Sequence, residues 1–397
     1  MLAWARAQGA SWDGIEFVVD DQGSARGVAT RRLAAGDTIL TLPRRAMIID
    51  NELVDTCTGT LDHGVAPRPR DALAAWLALE AREPASPWRI YLDTLPVHVD
   101  VPMFRDASEL AALTGTSAHA LTFEMTRDVR DTYARLPDEL RARISLADFA
   151  WGRAIVMSRA FHAPGSFENR IALLPLVDIF NHRTDDTGWS YSPFDEALVV
   201  RTERMIEAGE EVHFSYGNRS NSHLLVHYGF VLPENPGNEA HLVFEQPPSS
   251  PISVRVRTIL DDRFVQALSL ARLHACEPAK RDRILDELSE PSYIPFIDAA
   301  SEAGAFDVLA DLARQARDAL DAPPPRAANR AWDETCVLVR RGEREIVEQI
   351  LELCAAARAY AACSGSELDA AVEAIPVEAT GVACMLRRYL QDLAEAK

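Results

Sequence analysis

Four polar side chains sit where the sequence changes its local pattern. Asn181 and His182 follow the apolar run LLPLVDIF, Arg159 closes an apolar helical run in MSRAF, and Tyr216 ends the alternating run VHFSY. An amide, an imidazole, a guanidinium and a phenol can orient a nucleophile or anchor an anion through hydrogen bonds. Each also has a plain structural reading. An Asn-His pair can be the satisfied polar end of a buried strand, an arginine at a helix end can complement the helix dipole, and a tyrosine at a strand edge can simply pack.

The elements around these residues give them geometry. In VHFSY, Val212, Phe214 and Tyr216 share one face and His213 and Ser215 the other. Ser220 can cap a helix that carries Leu224, Leu225 and Tyr228, and Gly229 can end it. That helix would hold Tyr216 and Phe230 near one another. Residues 24–29, SARGVA, read as a tight turn between strands, similar to a GxG loop with Ala25 at the first glycine position. Gly27 permits close backbone approach to a ligand, and a plain hairpin turn explains it equally well. No helix follows, so neither a dinucleotide fingerprint nor a phosphate loop is supported.

Strand patterns occupy residues 15 to about 50 (IEFVV, then VATRRLAAGDTILTLP with a GD turn) and return in ALLPLVDIF, WSYSPFDEALVVRT and EEVHFSY. Between them, DALAAWLALEARE (71–83) and the segments to about 158 are helical. From about 255 the chain is Ala, Leu, Arg and Glu at helical spacing, broken by DAPPPRAANR at 321–330. The carboxylates Glu343, Glu345, Glu348 and Glu352 read as a solvated helix face. No internal repeat supports a solenoid.

Composition narrows the class. The 397 residues are 48% hydrophobic and 25% charged, as in a soluble globular protein of two or three compact units. A net charge of −19 argues against a duplex-binding surface and suits a basic protein partner. The six cysteines, Cys57, Cys276, Cys336, Cys354, Cys363 and Cys384, form no CxxC pair, so no metal site and no disulfide framework is expected. MLAWARAQGASW reads as an amphipathic helix and no stretch reaches the length of a membrane span, so a cytoplasmic location is expected.

Taken in order, GVATRRLAAGDTILTLP, SPWRIYLDTLP, MSRAF, LLPLVDIFNH, AGEEVHFSYG and SNSHLLVHYGF resemble the successive motifs of SET-domain methyltransferases. The branch is the one typified by the Rubisco large-subunit lysine methyltransferase, and RRGEREIVEQILELC is similar to its GE-helix. The resemblance implies an α+β fold of short twisted β-sheets with a pseudoknot and a helical insert, followed by an all-α domain. Its segments would be 1–70 (N-terminal SET), 71–150 (insert), 151–235 (C-terminal SET, with the catalytic motifs) and 250–397 (helical substrate-binding-like domain).

By motif position the resemblance implies S-adenosylmethionine as cofactor, leaving as S-adenosylhomocysteine. Asn181 and His182 would contact it, Ser24 and Arg26 would meet it through the first loop, Arg159 would bind its carboxylate, and Phe230 and Tyr228 would border it. Tyr216 would be the catalytic tyrosine. The carbonyl oxygens of Ser158 and Asp178 would line the methyl-transfer pore. Ala25 and Ser24 depart from the family pattern, and the cysteine-rich zinc segment of histone-directed members is absent.

Methyl transfer from a sulfonium is an in-line displacement that needs no metal, so the protein mainly aligns the reactants. The expected activity is protein-lysine N-methylation. Phe161, two positions after Arg159, and Val177 before Asp178 favour an apolar lysine channel over the polar pocket of family members that methylate histidine. The other readings are a histidine methyltransferase and a catalytically idle SET fold serving as a binding module.

Overall fold

A computed structural model describes residues 1–20, 23–49, 68–163, 170–183, 186–192, 194–244, 252–256, 262–287, 293–325 and 329–396. The chain divides into two compact units. One comprises Met1–Phe104, Thr122–Arg219 and Val226–Gly229; the other comprises Arg105–Leu121, Ser220–Leu225 and Phe230–Lys397.

Among the described residues the first unit holds ten strands: β1 Ser11–Trp12, β2 Ile15–Val19, β3 Ala25–Ala29, β4 Thr38–Pro43, β5 Ile48–Ile49, β6 Ala160–His162, β7 Ile171–Leu173, β8 Thr187–Ser192, β9 Ala197–Thr202 and β10 Glu211–Val212. They make three small antiparallel sheets in the orders β1-β4-β9-β8, β10-β3-β2 and β5-β7-β6. Central strand β9 is buried along Ala197–Val200, which is why its sequence is continuously apolar instead of alternating. Leu33, Ile39, Leu42, Val177, Phe180, Leu198, Val212 and Phe214 form one core. A second core, with Leu73, Trp76, Tyr91, Phe149 and Ile155, packs the helices Pro69–Glu80, Arg89–Leu92 and Leu146–Arg159.

Two strand expectations and one turn are corrected. EEVHFSY is a strand only at Glu211–Val212, because the Phe214 N–H turns to the carbonyl of Asn181, 2.8 Å away. ALLPLVDIF is a strand only to Leu173. Pro175 offers no N–H, and Leu176 adopts φ 75°, after which Val177–Ile179 closes a 3₁₀ turn. Positive φ at a fully buried leucine is strain held in place by packing.

SARGVA is not a turn: Ala25–Ala29 is β3 itself, antiparallel to β2 with Ala25 opposite Val19, and the Ser24 N–H donates to Asp20 Oδ1 at 2.9 Å. Gly27 faces inward in β3, and a Cβ there would run into the ring of Phe180.

In the second unit β11 (Ala240–Phe244) pairs with β12 (Ile252–Val256), a hairpin the sequence reading did not identify. Helices Asp262–Ala275, Pro278–Glu287, Ala299–Asp321, Arg330–Arg358, Gly365–Ala374 and Gly381–Ala396 follow, around a core that includes Leu242, Phe306, Leu309, Val347, Ile350 and Leu390. Asn329 ends the proline-rich connection by accepting the N–H groups of Ala331 and Trp332, so it caps the longest of these helices.

Glu343 corrects the solvated-face expectation. It is 5% exposed, takes the N–H of Ser117 at 2.9 and 3.0 Å, and accepts the hydroxyl of Ser222, while Glu345, Glu348 and Glu352 are exposed. Cys276, Cys336, Cys354, Cys363 and Cys384 are free thiols, and Cys57 lies outside the described residues. Among the described residues no helix is long and apolar enough to cross a membrane.

Replacing Gly27 by alanine should push Phe180 out of place. The expected cost is about 1–3 kcal/mol in denaturant-induced unfolding, the usual range for overpacking a core. An unchanged unfolding midpoint would show that the site yields without strain.

Candidate active site

The two segments singled out by sequence cross. Asn181–Arg183 and Phe214–Tyr216 lie side by side through a parallel bridge between His182 and Phe214. The Phe214 N–H donates to Asn181 O at 2.8 Å, and the Arg183 N–H donates to Phe214 O at 3.2 Å.

Behind the crossing sits the fully buried carboxylate of Asp186. It accepts from Arg204 Nε at 2.6 Å, from the His213 N–H at 3.2 Å and from His213 Nδ1 at 2.8 Å, and Arg183 Nε is 3.4 Å away. Thr187 Oγ1 adds a 2.7 Å bond to His213 O. Burial opposes the charge on Asp186, but Arg204, His213 and Arg183 outweigh it and hold the carboxyl below its usual range.

The crossing fixes the chemical state of His182. The Tyr216 N–H donates to His182 Nδ1 at 3.1 Å, so Nδ1 carries a lone pair and the ring proton sits on Nε2. Phe214 O, 3.4 Å from the same nitrogen, is then a close contact and not a hydrogen bond. Burial lowers the pKa of His182, in keeping with a neutral ring.

Tyr216 is held on both faces and at its tip. Its ring stacks on His182 (centroids 5.0 Å, 22° between planes) and on Tyr228 (4.8 Å, 25°). Its hydroxyl donates to Phe180 O at 2.7 Å. Burial raises the pKa of the phenol, with Arg159 opposing, so Tyr216 is a neutral phenol at physiological pH. With its proton committed to a carbonyl, the oxygen offers lone pairs to a donor.

Arg159 is the last residue of the Leu146–Arg159 helix, whose start is fixed by a Ser145–Asp148 capping box. It is not merely a partner of the helix dipole. Arg159 Nη1 donates to Asp178 O at 2.9 Å and lies 3.4 Å from Asp178 Oδ2. That buried carboxyl also accepts the hydroxyl of Tyr91 at 2.9 Å. Burial pushes the Asp178 pKa up, with Arg159 and Tyr91 opposing.

Phe161 in β6 meets Phe214 edge to face at 5.3 Å, an apolar wall beside the crossing. The Ser158 hydroxyl turns back onto its own helix, to Ala154 O at 2.8 Å.

The fold therefore gathers Arg159, Asp178, Asn181, His182, Tyr216 and Tyr228, with Phe161 joined through Phe214. Ser24 and Arg26 are exposed at the start of β3, and no hydrogen bond or ion pair among the described residues links them to this group. Phe230 is partly exposed and belongs to the second unit.

Tyr91, Asp186, Glu211 and His213 were not singled out by sequence. Tyr91 lies within the SPWRIYLDTLP segment and Glu211 and His213 within AGEEVHFSYG, whereas Asp186 lies in none of the motifs; the last three gain meaning when the chain crosses itself. Glu211 accepts Asn181 Nδ2 at 2.6 Å. Among the described residues no group of three or more His, Cys, Asp or Glu is placed to hold a metal ion.

Residues 27–217 match the family model of the SET domain. The chain is 31% identical over 242 residues to the (fructose-bisphosphate aldolase)-lysine N-methyltransferase, chloroplastic, of Arabidopsis thaliana, covering 56% of this chain and 49% of that protein. It is 26% identical over 296 residues to the actin-histidine N-methyltransferase of Mus musculus, covering 70% and 50%. The chain thus spans about half the length of these relatives. The solved SET domain of LSMT bound to lysine and AdoHcy shares the fold, with a TM-score of 0.69 over 91% of both chains at 19% identity.

Asp186→Asn should loosen the crossing in a pH-dependent way. The folded-state pKa of Asp186 is depressed, so its contribution is present above the unfolded value of about 3.9 and is lost as pH falls through the folded value. Urea unfolding should show a gap of about 2 kcal/mol between parent and variant at pH 7, narrowing below about pH 4. A gap independent of pH would contradict the ionic role.

Proposed function

We propose that this chain is an S-adenosylmethionine-dependent protein methyltransferase whose acceptor is a lysine side chain. The observation that carries this reading is the Tyr216 hydroxyl. It is neutral, buried, donating to Phe180 O, and stacked between His182 and Tyr228 at the crossing of two chain segments.

The residues present suit the cofactor. Arg159 supplies a partly buried cation for its carboxylate, neutral His182 and the carboxamide of Asn181 supply polar groups at the crossing, and Tyr228 supplies an apolar face. No described cluster calls for a metal, and the proposed displacement needs none. When bound, S-adenosylmethionine supplies a methyl group on a positively charged sulfonium.

The protein's own part is alignment and desolvation. An incoming lysine must lose its proton before it can act as a nucleophile. An apolar wall of Phe161 and Phe214 disfavours the ammonium and lowers its pKa. The lone pairs of the Tyr216 oxygen then accept an N–H from the neutral amine and hold its free pair in line. Because the phenol stays protonated, Tyr216 orients the amine and does not act as the base. The acceptor's proton must leave to solvent.

Phe161 and Val177 support lysine as acceptor, as does the lysine-directed plant relative. The actin-histidine relatives favour a second reading, because their similarity spans 70% of this chain. The net charge of −19 supports a basic substrate protein, and a KM that ignores ionic strength would count against that partner.

Tyr216→Phe should keep cofactor binding and lower methyl transfer about 100-fold, the scale of removing one positioned hydrogen-bonding group at a reacting centre. Mass spectrometry of the product should place the methyl group on lysine. Transfer at the parental rate would remove Tyr216 from catalysis, and a methylated histidine would replace the lysine reading with the second one.

A further inference from the structure

We propose that Glu211 is a positioning residue that sets the orientation of the Asn181 carboxamide, and through it gives the cofactor site a requirement for an amine. The inference rests on the methyltransferase reading above.

A carboxamide has two nearly indistinguishable ends, one a donor and one an acceptor, and what it recognises depends on which end faces the ligand. Asn181 follows the 3₁₀ turn Val177–Ile179 and is exposed, so burial alone does not choose between them. Glu211 does. Its carboxylate only accepts, and it lies 2.6 Å from the Asn181 side-chain nitrogen. The NH₂ end must face Glu211, and the oxygen faces the other way as an acceptor. Donating to an anion also polarises the amide and strengthens its oxygen as an acceptor.

Glu211 is itself fixed. It lies in β10 with its backbone registered to Val28, and His213 Nε2 is 3.7 Å from its Oε1. The other ring nitrogen of His213 bonds Asp186 at 2.8 Å. The chain carrying Glu211 is therefore held on both sides of it, by the register of Glu211 to Val28 and, two residues on, by the bond of His213 to Asp186. The ligand group that matches an outward-facing, polarised acceptor is an N–H donor, best of all a cationic one. In an amino-acid-bearing nucleoside that group is the α-ammonium.

The test compares S-adenosylhomocysteine with its analogue lacking the α-amino group, by calorimetric titration of the full chain. The parent should prefer the amine-bearing ligand by about tenfold or more, as expected for a hydrogen bond to a charged group. Glu211→Ala should lose about that factor for S-adenosylhomocysteine and leave the analogue unchanged, so the preference collapses. Glu211→Gln, whose carbonyl can still accept from Asn181, should restore part of it and keeps the test open if the alanine variant is poorly folded.

Equal weakening of both ligands, which a merely structural role would give, overturns the inference, as does an unchanged preference in the variants or no preference in the parent. A folded parent that binds neither ligand overturns the methyltransferase reading itself.

Discussion

Everything at the site depends on one buried carboxylate that ties two distant pieces of chain together. Asp186 takes hydrogen bonds from Arg204 and from both the backbone and the ring of His213, which fixes the second segment beside the first. An anion without exposure is tolerable only when its lone pairs are met by cations and N–H groups. Once they are met, the register of His182 against Phe214 is set, and with it the Tyr216 N–H on His182 Nδ1 and the Tyr216 hydroxyl on Phe180 O. The neutral state of both rings follows from the same burial.

A second ionic knot works in parallel. Arg159 and Asp178 are joined at the point where a capped helix ends and a strained 3₁₀ turn begins, and Tyr91 closes the pair. The buried charges explain why leucine at position 176 is held at positive φ: relaxing it would pull Asp178 away from both partners. Phe180, at the end of the same turn, is seated against Gly27, so that glycine makes room for the ring of the residue whose carbonyl receives the tyrosine.

Much of the site was legible because its residues lie in short, ordered motifs. Periodicity located the helix that Arg159 ends, while Asn181, His182 and Tyr216 stood out through their motifs, because the strands expected to end at them stop at Leu173 and Val212. The helices were legible for the same reason, from DALAAWLALEARE to the long Arg330–Arg358 helix. Local pattern fails where a chain segment takes its hydrogen bonds from far away. EEVHFSY and ALLPLVDIF both look like full strands, yet the first leaves its sheet as Phe214 turns to Asn181, and the second stops before Pro175 and the positive φ of Leu176. Glu343 fails for a related reason: its spacing matches exposed neighbours, and only the N-terminus of the Ser117–Ala134 helix and the Ser222 hydroxyl give it a buried role. Asp186 carries no local signal at all, and Glu211 lies in a motif that gives no hint of its contact with Asn181.

The central claim is that this crossing assembles a site for S-adenosylmethionine, with Arg159 as its anion anchor. Calorimetric titration of the purified full chain with S-adenosylmethionine, beside Arg159→Ala, tests it most directly. The account predicts saturable binding at one site per chain, weakened at least tenfold in the variant by loss of a charge-assisted contact. Absence of binding to the folded parent would contradict it, and so would equal affinity in the two proteins.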